Sequence, residues 1–330
     1  MPNSGQAPGN GLIWAYRLDG SGGGTALDWR DIQAPPPSDG VTWIHLDLGH
    51  PGTVEFVREQ SGLNEVEADV LLAERTRPRM VPFGDALVVI LRGINFNPGA
   101  EPDDMVSIRI WASERLVISC RKVRLRAVED VQQSIACGLG PTNSSELLAA
   151  IANRLAERMN DVIEGLEHQA DTIEEQLDSG QPPQQLNAAL ADLRRTFIGL
   201  RRYLVPQRDA LLRLAGAKMS WLPEDDRSWL RDLADQTTRL EEALEAARDQ
   251  AAVTQEELLQ RLSEKTEQRM YLLSVITAVF LPLGLLTGLL GVNVGGIPGA
   301  ETPWAFALLC GGIGLFVALQ LWLLRRKHWF

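Results

Sequence analysis

The chain has 330 residues and carries 43 acidic against 32 basic side chains, a formal net charge of −11. That balance argues against a nucleic-acid partner and suits a body that gathers cations. Its three cysteines, Cys120, Cys137 and Cys310, are too widely spaced for a disulfide framework or a Cys-x-x-Cys metal site, and a reducing cytoplasm is consistent with them.

Residues 1 to 10 read as disordered, being Gly, Pro, Ser and Asn with little apolar content. They have neither a basic start nor an apolar core, so no cleaved signal is expected. Residues 11 to 140 read as a cytoplasmic α/β domain. Strand-like runs occur at Leu12 to Leu18, Val41 to Leu48, Ala86 to Arg92, Met105 to Trp111 and Leu116 to Arg121. Gly, Pro and Asp clusters bound them, as at Gly20 to Gly24 and Asn97-Pro98-Gly99. Helical patterns sit at Thr53 to Ser61, Glu65 to Glu74 and Leu125 to Ala136, and Ala112 to Arg115 reads as a hairpin turn. No phosphate loop, nucleophile elbow or dinucleotide fingerprint interrupts these runs, so the domain reads as a wall and no enzyme chemistry is expected. His45 and Asp47 alternate on one strand face with His50 nearby, but a zinc site needs a third strong ligand converging on the same point, and packing or hydrogen bonding is the expected role.

Residues 141 to 221 read as a helical hairpin. Leu148, Ile151, Leu155, Met159, Val162, Leu166, Ile173 and Leu177 recur at helical spacing up to the turn at Asp178 to Pro183. The return helix is expected from about Gln184 to Leu214, with Pro206 a kink or break. Between residues 141 and 180, nine Asp and Glu stand against Arg154 and Arg158, a field that raises the local cation concentration. Glu164, His168 and Asp171 share one helix face and could hold a divalent cation; the alternative is a solvated charged face.

Residues 222 to 291 read as a stalk helix continuing into a membrane span. Pro223-Glu224-Asp225-Asp226 is a helix start, and Leu230, Leu233, Thr237, Leu240, Leu244, Ala247 and Ala251 follow a heptad seam. A helix from there to Gly291 would be roughly 105 Å long at about 1.5 Å per residue. Tyr271 to Ala300 has no charged side chain, Glu301 interrupts, and a second uncharged run extends from Thr302 to Leu324. A bilayer core takes about 20 apolar residues of helix, so the expected spans are about 271–291 and 303–324, with an outer loop at 292–302 and a basic tail at 325–330. Arg261, Lys265, Arg269, Arg325, Arg326 and Lys327 flank the pair while the loop has no Lys or Arg, which places both termini of a multi-pass membrane protein in the cytoplasm.

Two spans cannot enclose a pore, so several chains are expected to assemble in the bilayer. Met270, Leu273, Thr277, Leu281, Gly284 and Gly288 form a stripe ending at Gly291. Two readings stay open: a pore lining, or small residues that let helices pack closely. Thr277 is likewise either a polar station or a hydroxyl bonded to its own helix.

Gly291-Val292-Asn293, at the outer end of the first of two C-terminal spans after a long charged helix, resembles the signature of the CorA superfamily of divalent metal-ion transporters. The fuller GVNVGGIPG, followed by Trp304, is similar to its zinc-transporting ZntB branch, and Val292 stands where the magnesium signature Gly-Met-Asn has Met. The resemblance implies an α+β cytoplasmic domain, a helical stalk and two spans assembled into a funnel-shaped homopentamer with a central pore. It also implies transport of Zn2+ with no further cofactor, proton-coupled uptake, and an entrance formed by Gly291, Val292, Asn293 and Glu301. The rivals are zinc efflux, a Mg2+ or Co2+ channel of the same fold, and a membrane-anchored coiled-coil scaffold.

Overall fold

A computed structural model describes residues 10–33, 40–74, 76–291 and 302–326. The chain divides into two compact units, Met1–Gln255 and Glu256–Phe330. The expected disorder of residues 1 to 10 falls almost wholly outside the described residues.

The first unit is built on a seven-stranded sheet. Its strands are β1 (Leu12–Leu18), β2 (Gly24–Leu27), β3 (Val41–Asp47), β4 (Arg79–Phe83), β5 (Ala86–Gly93), β6 (Val106–Ala112) and β7 (Leu116–Arg121), in spatial order β2-β1-β3-β7-β6-β5-β4. Only β3 and β7, at the centre, run parallel, with Ile44 opposite Ile118. A parallel central pair is buried on both faces. Accordingly β3 reads VTWIHLD with every residue but the last buried. The edge strands β2 and β4 are absent from the sequence reading. One is a short GTAL and the other contains Pro82, both of which weaken a strand signal and both of which suit an edge.

Short helices cover one face of the sheet: α1 (Trp29–Gln33), α2 (Pro51–Glu55) and α3 (Glu65–Leu72). The helix expected at Thr53 to Ser61 is α2 continued by a π-helical turn, Phe56–Gln60, closed by the Ser61 N–H donating to Phe56 O at 2.9 Å. The wider turn lets the neighbours Phe56 and Val57 both be buried. A capping box between Asn64 and Glu67 starts α3. On the other face lie α4 (Arg126–Ala136) and the first turns of α5 (Ser144–Asp178), whose Leu147, Leu148, Ile151 and Leu155 join Trp43, Val117 and Ile108 in one core.

Beyond the sheet, α5 pairs with α6 (Pro183–Ala215), and hydrogen bonds from Ser145 to Asp226 and from Gln250 to Asp171 join it to the first part of α7 (Glu224–Leu290). The seam of α5 runs Met159, Ile163, Leu166, Ala170, Ile173 and Leu177; Ile163, not the expected Val162, is the buried residue. Leu230, Leu233, Thr237, Leu240, Leu244, Ala247 and Ala251 of α7 are all buried, as their spacing required. Pro206 lies inside α6 and does not end it. Next to it, buried Gln207 accepts the Arg92 backbone N–H of β5 at 2.7 Å, tying the helix to the sheet.

In the second unit, α7 reaches Leu290 with Pro282 inside it, and α8 spans Ala305–Arg326.

Candidate functional site

The C-terminal part of α7 is long and apolar enough to cross a membrane, with a mean hydropathy of 2.2 over its best window and 6% of that window buried within the chain. α8 carries a shorter apolar run among the described residues, Phe306–Gln320. Val275 is buried and Tyr271, Val279, Pro282 and Leu283 are half-buried, marking one face of α7. The expected stripe lies about half a turn round the helix from it. Met270, Leu273 and Leu281 are 65%, 65% and 67% exposed, and Thr277, Gly284 and Gly288 are exposed too. A Cβ at Gly284 or Gly288 would meet nothing within 4 Å, so these glycines face open space within this chain. The structure therefore groups the six stripe residues on one outward surface. What covers that surface is not part of this chain's own packing.

Thr277 Oγ1 donates to Leu273 O at 2.8 Å, and Ser274 and Thr287 bond back to Met270 O and Leu283 O in the same way. The hydroxyl proton of Thr277 is thus spent on its own helix, and its oxygen is left with acceptor capacity only. Gly291 closes the helix, its N–H donating to Thr287 O at 2.9 Å. An added Cβ there would lie 3.1 Å from that same oxygen, a close approach that favours glycine. Val292, Asn293 and Glu301 lie outside the described residues.

At the far end of α8 the Arg326 guanidinium sits 5.3 Å from the Trp322 ring centroid. An aromatic next to a cation at the end of an apolar helix is the arrangement expected at a membrane–water boundary.

The acidic face of α5 is placed as expected but not assembled into a cation site. Glu164, His168 and Asp171 are exposed. Glu164 accepts from Asn160 at 2.5 Å, and Asp171 and Glu174 accept from Gln250 of α7 at 3.0 and 2.8 Å. Among the described residues, no three His, Cys, Asp or Glu side chains gather closely enough to hold a metal ion. His45, Asp47 and His50 likewise have separate structural tasks. His45 Nδ1 lies 2.7 Å from Ser119 Oγ, which also takes the Trp43 indole N–H at 2.8 Å. Asp47 accepts the Gly49 N–H, and His50 caps α2 by accepting the Gly52 N–H. Burial, together with the charge of Arg121, holds His45 well below the ordinary imidazole range, so it is neutral.

Sequence reasoning missed a buried polar anchor. Arg109, 2% exposed, donates to the carbonyls of Ala73 and Glu74 just past α3, and to Ser107 Oγ. Beside it the Cys120 thiol is pushed up to about 12 by burial, so it is a packed, protonated group. An arginine in a strand with apolar neighbours gives no local signal of burial.

The CorA family model, described as a CorA-like Mg2+ transporter protein, matches residues 38–326. The divalent cation transporter CmaX of Pseudomonas aeruginosa is 42% identical over 322 residues, covering 97% of each chain. The zinc transport protein ZntB of Yersinia pseudotuberculosis is 35% identical over 317 residues, covering 96% of this chain and 95% of its own. The solved structure of full-length CmaX has a TM-score of 0.85 and 42% identity to this chain, covering 99% of it and 100% of that protein. The match takes in the sheet, the long helices and the apolar end alike, and this chain belongs to the family of CorA-like Mg2+ transporter proteins.

Proposed function

We propose that this chain is a divalent-cation transporter whose cargo is Zn2+, moved through the centre of a homopentamer in the inner membrane by proton-coupled uptake. The observation that carries the reading is the outward stripe of α7. Apolar and glycine residues are left uncovered on the face opposite the half-buried one, as a helix has them when it waits for symmetric copies around an axis. Both termini face the cytoplasm, following the basic flanks.

The selecting chemistry is ion transfer, with no covalent step. Carboxamide oxygens of a ring of Asn293 accept hydrogen bonds from the waters of a hydrated cation, and Glu301 attracts cations to the mouth. Zinc follows from the ZntB relative and from Val292 in place of Met; no tight Cys and His site stands in the span to trap the ion. Two observations favour a second reading, a Mg2+ or Co2+ channel: the 42% identical relative is described only as a divalent cation transporter, and the family model is named for Mg2+. Zinc efflux is the rival direction.

Purified protein in liposomes decides between them. Zinc uptake stimulated by an inward proton gradient and indifferent to magnesium is the expected result. Flux that ignores the gradient and is suppressed by magnesium means the channel reading. Asn293→Ala is expected to abolish flux or scramble selectivity with assembly intact; unchanged ion preference removes Asn293 from the entrance.

A further inference from the structure

Pro282 lies inside α7. A proline has no N–H, so the carbonyl four residues earlier, that of Ala278, loses its helical donor, and the ring tilts that carbonyl away from the axis. Water would serve such a carbonyl in a soluble helix, but hydrocarbon cannot. The hydroxyls nearby do not serve it, because Ser274, Thr277 and Thr287 donate to Met270 O, Leu273 O and Leu283 O. The donor comes from α8: Gln320 Nε2 lies 3.2 Å from Ala278 O. Gln320 Oε1 is enclosed and makes no hydrogen bond, so the amide is held here by its N–H side alone. From Ala305 to Leu324 no other side chain carries an amide, a hydroxyl or a charge.

We infer that Gln320 is a positioning residue of the transport helix: it supplies the donor that Pro282 removes, pins α8 to α7 at the proline, and so fixes the course of α7 through Gly284 and Gly288 to Gly291. The hydrogen bond stands on geometry, and its consequence for transport rests on α7 being the pore helix. A polar side chain that merely glued two spans together would act regardless of residue 282. Gln320 acts because of it.

The test uses full-length protein in liposomes as wild type, Gln320→Leu, Pro282→Ala and the double variant, reading hydrogen exchange of α7 amides around Pro282 and divalent-ion flux. In the wild-type background, Gln320→Leu is expected to speed exchange by about fivefold and to lower flux comparably. In the Pro282→Ala background residue 282 has its own N–H for Ala278, and the same change is expected to move both readouts less than about twofold. Equal effects in the two backgrounds, or unchanged exchange in the first, overturn the inference. If Gln320→Leu fails to fold, recovery by Pro282→Ala supports it and failure in both backgrounds overturns it. Coupled exchange with flux unaltered in all four forms overturns the positioning role; if Asn293→Ala still abolishes flux, the transport reading survives. A wild type that moves no divalent ion defeats that reading instead, whatever the exchange pattern.

Discussion

Ile198 on α6 and Leu285 on α7 are each 62% exposed, yet they belong to different solvents. Around Ile198 the first unit has gathered its apolar residues into two cores, one on each face of the sheet, and an exposed isoleucine is a local exception. Around Leu285 exposure is the rule: Met270, Leu273, Phe280, Leu281 and Leu289 are all more than half uncovered. One unit buries its apolar surface against itself. The other leaves it uncovered within this chain.

The two helix prolines repeat the contrast. Pro206 strips the donor from the carbonyl of Arg202 in α6, a residue whose side chain is exposed, so that water can replace the lost N–H. Pro282 does the same to Ala278 in an apolar segment, and a side chain from another helix has to respond.

The contrast breaks most sharply in the core of the first unit. Trp43, fully buried and hydrogen-bonded to Ser119, when replaced by alanine is expected to cost that unit about 3–5 kcal/mol, measured by urea unfolding of the detergent-solubilised chain. A loss under about 1 kcal/mol would mean that the sheet core is not packed as described. Next in size is the same change made in both solvents. Leu285→Asp is expected to oppose membrane insertion by about 3 kcal/mol, seen as a fall in membrane-integrated protein, whereas Ile198→Asp should stay within about 0.5 kcal/mol in unfolding. Equal outcomes would erase the distinction between the units.

The smallest effect concerns His45. It stays neutral in the folded chain, while in the unfolded chain it charges near the ordinary value of about 6.5. Below that pH the unfolded chain binds more protons, so stability falls as pH falls, by at most about 1.4 kcal/mol per pH unit. His45→Asn should flatten this slope in urea midpoints taken between about pH 6.5 and 5.5. An unaltered slope would show that other groups carry the acid sensitivity.

Sequence by itself determined what depends on near neighbours along the chain. The heptad seam of α7, five of the seven strands and the apolar end of α7 were legible, because periods of about 3.6 and 2 residues put side chains on a face whatever the face meets. The stripe residues from Met270 to Gly288 share one exposed face for the same reason. Tertiary structure decided the rest. It made β2 and β4 edge strands, paired β3 with β7 in parallel, buried Arg109 against the carbonyls beyond α3, spread Glu164 and Asp171 among separate partners, and brought Gln320 to Ala278 across 42 positions. In each of these cases the deciding partner is remote in sequence. An orphaned donor or acceptor takes whatever group the fold carries to it, and no local pattern records which group that will be.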